Sequence, residues 1–483
     1  MADSLRKEAY SGMGWSFFDN ILRLGISFVV GIVLARLLTP SIYGTIGIVT
    51  IFTSLFNSFV DCGLSTALIR KKDATDADFS TIFIANLTIA SFLYLALFIG
   101  APLIADFFKI DELTQLLRVV GITIIISSLS LVQLTVLTKR IDFKTQTKTT
   151  FIASVVSGAV GILMAYLGFG VWALVAQLVL SALVKTIALW IFNRWFPSLK
   201  FSYKSFREMF GFGWKLMLIG LMNAFWMNIY NFVIGKFYTQ QSLGLYNRAK
   251  QFSDLCSSNI TNVVQSVSLP LLSKIQDDSE RIKYIYRKTI KLTAFVTFVL
   301  LFGLSGVSHT FIYVLLGEKW LGAADYLPLV AFSMILYPIG LINLNLIAIK
   351  GRSDLCLKIE VIKKILAIIP ILFGIICSIK YMLIASIVIN YVSYYLNAYY
   401  SNTLIGYSLM LQIKDIKGSL FLSLSMYLIL LAIGMFEISP YYLLAIQVLF
   451  AICYIITVSK YSKMEEFKDI SNLVCSFLAK FKK

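Results

Sequence analysis

The sequence predicts an all-α polytopic integral membrane protein. Fourteen transmembrane helices are expected: twelve in two six-helix lobes related by a parallel pseudo-two-fold repeat, and two extra ones at the C-terminal end. Three observations predict this. The 483 residues are 58% hydrophobic and only 14% charged, whereas soluble domains run about 45–50% apolar and about 25% charged. Lys and Arg alternate between the connections with a two-sided rhythm. Landmark residues recur about two hundred positions apart, as a duplicated unit would write them.

A spanning helix needs about 20 mostly apolar residues. Runs of that kind lie at 15–36, 43–68, 80–104, 113–137, 150–168, 171–193, 212–236, 243–272, 290–308, 324–349, 359–378, 381–400, 418–435 and 441–459. All read as helices, because an open strand edge leaves backbone groups unsatisfied in lipid. With the N-terminus inside, the inner segments hold Arg6 and Lys7, Arg70 to Lys72, Lys139 to Lys148, Arg194 to Arg207, Lys274 to Lys291, Lys350 to Lys364, Lys414 and Lys417, and a tail group from Lys460 to Lys483. The outer loops carry little beyond Lys109, Lys319 and Lys380. Basic residues favour cytoplasmic loops, and one missed helix would invert everything after it. Both termini are therefore expected in the cytoplasm, and the segment RIKYIYRK (281–288) on the membrane surface.

The repeat is read from four landmarks. GMGW (12–15) is matched by GFGW (211–214), Arg36 by Lys236, and Gly44 by Gly244. The exit of the fourth span, TKRIDFK, is matched with that of the tenth, IKGRSDL, pairing Arg140 with Arg352 and Asp142 with Asp354. The expected domains are a lobe over 1–200, a second over 201–405, and a terminal pair of helices with a tail over 406–483. Parallel repeats place a substrate path between lobes.

Composition also excludes. The net charge of +18 suits the loops of a membrane protein rather than a nucleic-acid surface. Six scattered cysteines and one histidine, His309, form no CxxC or Cys/His cluster, so no metal, cofactor or disulfide framework is expected. The N-terminus shows no signal-peptide cleavage pattern. Short outer loops poor in catalytic residue types argue against a membrane enzyme such as a polysaccharide polymerase.

Polar side chains inside spans are costly and mark cavities or partners. In the eighth span Asn247, Gln251, Asp254, Ser258, Asn262 and Gln265 recur at steps of three and four, flanked by Arg248 and Lys250. One helical stripe follows, read as a cavity wall, with interhelical hydrogen-bond glue as the alternative. The second span carries a weaker stripe of Thr50, Ser54, Asn57 and Asp61, expected across the same water-filled cleft. Asp19 and Arg23 share a face of the first span, and Lys215 opens the seventh. Arg and Lys suit a phosphate or pyrophosphate; Asn, Gln and Ser suit sugar hydroxyls; Asp19, Asp61 and Asp254 are the ion-coupling candidates. Arg36 and Lys236 are candidates for an outer rim, with headgroup anchoring as the bland reading.

The stretches VLARLLTPSIYGTIGI, DCGLSTALIRKKDATDADFSTIF, LGLYNRAKQFSDL, LPLLSKIQDDSERI, LLGEKWLGAADYLPLVAF and KGRSDL, in that order, resemble the Wzx-type polysaccharide flippases. The likeness is to the colanic-acid exporter branch of the multidrug/oligosaccharidyl-lipid/polysaccharide exporter (MOP) superfamily. It implies translocation of an undecaprenyl-pyrophosphate-linked oligosaccharide across the bacterial inner membrane by alternating access, with H+ or Na+ as coupling ion in some relatives. It further implies membrane lipids as surroundings, a polysaccharide polymerase and other assembly proteins as partners, and a monomer. Arg23, Lys215, Arg248 and Lys250 match the family's cationic cavity residues in type. An ion-coupled multidrug exporter and a lipid II flippase are rival readings within the superfamily.

Overall fold

A computed structural model describes residues 24–61, 63–198, 200–273 and 278–481. Among them the secondary structure is helical throughout, without a strand. The chain divides at Gly244 into two compact units. The first holds α1 (Leu24–Leu37), α2 (Pro40–Asp61), α3 (Leu64–Arg70), α4 (Asp76–Phe108), α5 (Leu113–Lys139), α6 (Phe143–Tyr166), α7 (Val171–Asn193), α8 (Tyr203–Phe237) and the first residues of α9 (Gln240–Ser273). The second holds the rest of α9, then α10 (Ser279–Gly306), α11 (Ser308–Leu316), α12 (Gly322–Met334), α13 (Tyr337–Ile349), α14 (Ser353–Leu366), α15 (Ile368–Ile376), α16 (Ile379–Ile405), α17 (Leu409–Ile433), α18 (Pro440–Tyr461) and α19 (Glu465–Phe481).

Eleven helical stretches among the described residues are long and apolar enough to cross a membrane. Three expected spans fall outside that number for distinct reasons. Most of the first lies before the described residues, leaving the short α1. The eighth, α9, is long but too polar to qualify by composition. The eleventh is split into α14 and α15 at Ala367. Pro370 lacks the N–H that would bond back to Leu366, so the break precedes it by one turn.

Helix ends follow local chemistry. Thr75 accepts from the Asp78 amide and Asp78 returns a bond to the Thr75 amide, at 3.4 and 2.8 Å, a reciprocal cap that satisfies orphan donors of α4. Asp142, Ser202, Asp278, Ser378 and Ser408 cap α6, α8, α10, α16 and α17 through side-chain oxygens. α10 stops at Gly306, and α11 resumes after the single residue Val307.

Lipid offers apolar side chains no gain on leaving water, so close packing and small residues hold such helices together. Ala153, Ser157, Gly161 and Ala165 are buried at four-residue steps on α6, which packs on α7. In the first unit Leu64, Leu68, Ile82, Val132, Met209 and Trp195 form a common core. In the second, Tyr286, Ile290, Phe298, Ile339, Leu346 and Tyr407 belong to another, drawn from α10, α13 and the turn between α16 and α17. The two helices outside the repeat are anchored there: α17 packs on α10, and α18 on α17 and α11.

Two landmarks of the repeat reappear as matching backbone geometry. The Leu38 amide bonds the Leu34 carbonyl at 2.8 Å, and the Tyr238 amide bonds the Ile234 carbonyl at 2.9 Å. Thr39 and Thr239 then accept from Tyr43 and Leu243. The two corners also touch each other reciprocally. A Cβ on Gly44 would lie 1.8 Å from the Gln240 carbonyl oxygen, and one on Gly244 would lie 1.8 Å from the Pro40 carbonyl oxygen. Only glycine permits this approach of two backbones. The GFGW copy is also used in packing: Gly63, at φ 62°, abuts the Gly213 carbonyl. The GMGW copy lies outside the described residues.

The exit-loop match needs correction by two residues. The amides of Arg140, Ile141 and Asp142 bond the carbonyls of Val136, Thr138 and Leu137; those of Lys350, Gly351 and Arg352 bond the carbonyls of Leu346, Ala348 and Ile347. These are the same left-handed helix terminator, with Ile141 at φ 58° where its counterpart is Gly351 at φ 73°. Arg140 therefore corresponds to Lys350, and Asp142 to Arg352. The Arg–x–Asp similarity misled because identical letters outweighed the backbone position, which was visible only as the unmatched glycine. A β-branched residue in this conformation costs about 1–2 kcal/mol. Ile141 is 37% exposed, so little packing is lost on removal. Ile141→Gly should raise stability by about 0.5–1 kcal/mol after the added unfolded-state entropy, read as a higher thermal midpoint in detergent.

Candidate functional site

The polar residues singled out in the sequence fall into three groups. Asp19 and Arg23 lie outside the described residues. Asn57, Asp61, Lys215, Arg36 and Lys236 belong to the first unit, and the α9 stripe beyond Gly244 belongs to the second.

In the first unit, the α2 stripe is partly engaged. Thr50 and Ser54 bond carbonyls of their own helix, at 2.8 and 2.9 Å. Asn228 of α8 donates to Ser54 at 2.9 Å, so this position is interhelical glue. Asn57 remains exposed. Asp61 keeps one enclosed carboxylate oxygen without a hydrogen-bond partner among the described residues. Lys215 is exposed on α8, as snorkelling or ligand contact both require. Arg36 is exposed at the end of α1. Lys236 donates to the Phe107 carbonyl and sits 3.8 Å from the centroid of the Phe107 ring, a cation–π seat that ties it to the end of α4.

α8 opens the second repeat by sequence, yet packs on α2, α3 and α4 in the first unit. The bonds just described explain part of this, and an ion cluster at its other end adds to it. Lys71 Nζ lies 3.1 Å from Asp78 Oδ1 and 3.2 Å from Glu208 Oε2, while the Lys71 carbonyl accepts from Lys139 at 2.6 Å. Burial pulls the Lys71 ammonium down, but the two carboxylates outweigh it and hold its pKa above the usual lysine value. Glu208 is well exposed, so its share is worth little; the Asp78 pair is the stronger part.

In the second unit, the α9 stripe divides along its length. Arg248 is only 5% exposed. It donates to Gln251 and lies 5.3 Å from the centroid of the buried Trp320 ring. At the other end Asn345 of α13 donates to Gln265 at 3.3 Å and to Ser268 at 3.2 Å. Both ends thus hold α9 to its unit. Asn247, Lys250 and Asp254 are half-buried, and Ser258 and Asn262 exposed. Glu360 of α14 is a further carboxylate of the second unit. Glu360, paired with Lys363, escaped the sequence reading because the Lys pair beside it was counted with the cytoplasmic loop.

One further cavity in the second unit, about 290 Å³, is lined by Ile369, Phe373, Tyr381, Ile384 and neighbouring apolar residues of α15 and α16. It holds none of the polar candidates.

Apolar spans, paired corners and polar helices within them define a multi-span membrane protein, and its fold is shared with solved membrane proteins. The lipid II flippase MurJ in its inward closed conformation superposes with a TM-score of 0.74 at 17% identity, over 94% of this chain and 99% of that one. An inward-facing multidrug resistance MATE family transporter of the MOP superfamily gives 0.63 at 16% identity, over 80% of this chain and 94% of that one. The chain belongs to the polysaccharide biosynthesis protein family, whose profile matches residues 33–325. Among its relatives, teichuronic acid biosynthesis protein TuaB of Bacillus subtilis (strain 168) is 28% identical over 73% of each chain. Lipopolysaccharide biosynthesis protein WzxC of Escherichia coli (strain K12) is 24% identical over 77% of this chain and 76% of its own length. Succinoglycan biosynthesis transport protein ExoT of Rhizobium meliloti (strain 1021) is 26% identical over 68% of this chain and 66% of its own. The Wzx-type resemblance read from six motifs is thereby borne out.

Proposed function

We propose that this protein is a flippase that carries an undecaprenyl-pyrophosphate-linked oligosaccharide across the bacterial inner membrane for surface polysaccharide assembly. It is a transporter rather than an enzyme, works by alternating access, and draws on an H+ or Na+ gradient. The observation that carries this reading is membership of the polysaccharide biosynthesis family on a fold shared with a lipid-carrier flippase. Fourteen spans and cytoplasmic termini follow from the alternation of basic loops. The two lobes at 1–200 and 201–405 are repeat units; the compact units divide at Gly244 instead, because α8 packs with the first.

The residues assigned to the path are polar candidates that are exposed or half-buried within their units. Lys215 and Lys250 supply positive charge for the pyrophosphate, and Asn57, Asn247 and Asn262 meet sugar hydroxyls. Asp61 and Asp254 are the coupling carboxylates. Arg248, Gln251 and Gln265 position α9 rather than meet cargo, and Lys236 anchors.

The test is uptake of a fluorescent undecaprenyl-pyrophosphate oligosaccharide in proteoliposomes, read as its protection from a membrane-impermeant quencher. Protein-dependent protection supports the reading; none, with folded protein, overturns it. Lys250→Ala should lower the rate at least tenfold in protein that still folds. Arg248→Ala should instead lower the midpoint, because it uncovers Trp320. An unchanged rate in Lys250→Ala removes that residue from the path.

A further inference from the structure

The exposed face of α16 changes chemistry along its length. This helix is long and apolar enough to span from Ile379 to Ile405, so its middle falls at Val392. Before the middle, the exposed side chains include Ile384 and Val388, which border the apolar cavity shared with α15. From the middle onward Tyr391, Tyr395, Tyr399 and Asn402 recur at steps of four, four and three, so they share one side of the helix. The three tyrosines are 41%, 46% and 56% exposed, and Asn402 is exposed too. The ring centroids of Tyr395 and Tyr399 are 6.1 Å apart, and those of Tyr399 and Tyr400 are 5.2 Å apart. The rings thus make a continuous aromatic surface.

Depth decides what such a surface can face. At about 1.5 Å per residue, Tyr391 and Tyr395 lie within about 5 Å of the helix middle. The headgroups of a hydrocarbon core about 30 Å thick are about 10 Å further off. A hydroxyl needs a hydrogen-bond partner, and hydrocarbon offers none. Tyr394, beside them, meets that need inside the protein: it is buried and donates to Gln412 at 2.8 Å. The exposed tyrosines meet it from water or from cargo. Their part of the face therefore suits an aqueous path, whereas the part with Ile384 and Val388 suits lipid.

We propose that Tyr391, Tyr395 and Tyr399 form a stacking platform for the sugar rings of the cargo, with Asn402 at its end bonding their hydroxyls. The platform rests on the reading of this protein as a glycan transporter, and it names the wall along which the glycan passes. A pyranose has a face of C–H groups with slight positive charge, and the face of an aromatic ring is negative. Tyrosine presents that face at low entropic cost and adds a hydroxyl of its own. Saccharide is the occupant because the family is one of polysaccharide biosynthesis and the tyrosine hydroxyls lie at mid-depth. Stacking demands no fixed pattern of hydroxyls, so such a wall holds a sugar while letting it move on.

The test has two arms, both on the full chain. In nanodiscs, with the six native cysteines replaced by Ser, Tyr395→Cys should react with a membrane-impermeant maleimide several-fold faster than Leu449→Cys, at an exposed apolar position of α18. An undecaprenyl-pyrophosphate oligosaccharide should slow the reaction at 395. In the proteoliposome quenching assay, Tyr391→Leu/Tyr395→Leu/Tyr399→Leu should lower the rate at least tenfold. Phe at the same three positions should keep most of the rate, since rings stack without the hydroxyl. A parent that moves no glycan sinks the functional reading and the platform together. With an active parent, a parental rate in the Leu variant overturns the platform alone, as do equal losses in the Leu and Phe variants. A thiol at 395 as unreactive as that at 449 also overturns it, meaning a face covered by lipid or by a second copy. The thiol arm decides even where the Leu variant does not fold.

Discussion

Gly44→Ala and Gly244→Ala should each destabilise the protein by about 3 kcal/mol, the largest loss expected from a single methyl group among the described residues. Each new Cβ would stand 1.8 Å from a backbone carbonyl oxygen, and backbone, unlike a flexible side chain, cannot turn aside. The starts of α2 and α9 would have to part. Because both glycines guard one contact, the double variant should cost clearly less than twice a single one; neighbours that share a contact are not additive. Thermal midpoints of the three variants in one detergent check this. Additive losses would mean that the corners act separately.

Gln412→Leu should cost about 2–4 kcal/mol, because it strips partners from groups sealed away from water. Gln412 is fully buried on α17. It accepts from Tyr394 at 2.8 Å and donates to Ser401 at 2.8 Å and to Asn343 at 3.1 Å. Asn343 in turn accepts from Tyr286. Four helices, α10, α13, α16 and α17, thus meet in one network, and such networks lose more than the sum of single bonds when broken in part. Arg287 and Tyr407 add a border by sharing Asp415, at 2.7 and 2.6 Å. The expected readouts are a lowered midpoint and earlier proteolysis at the α16–α17 turn. A midpoint within half a degree of the parent would show the network to be dispensable.

Much of the fold was legible because a bilayer reduces folding to a one-dimensional pattern. Apolar length and loop charge place helices without knowledge of their neighbours. The Gly44–Gly244 echo was legible too, since a glycine required for close approach survives as a letter. What a stripe does was less so. Arg248 and Asn262 look alike in a helical projection, yet one lies against Trp320 and the other is exposed. Only the partner helix decides this, and Trp320 is more than seventy residues away in sequence. The α16–α17 network was hidden for the same reason: Asn343 was noticed, but Gln412 lies in the connection read between the runs 381–400 and 418–435.

The interruption between α10 and α11 bears on how the two copies diverged. α4 crosses as one unbroken helix of 33 residues, whereas its counterpart needs α10 with 28, Val307, and α11 with 9. A slab of fixed thickness leaves a longer segment few options, and a break is one of them. The second copy therefore carries its additional residues beyond an interruption at Val307, where the first runs on in one helix.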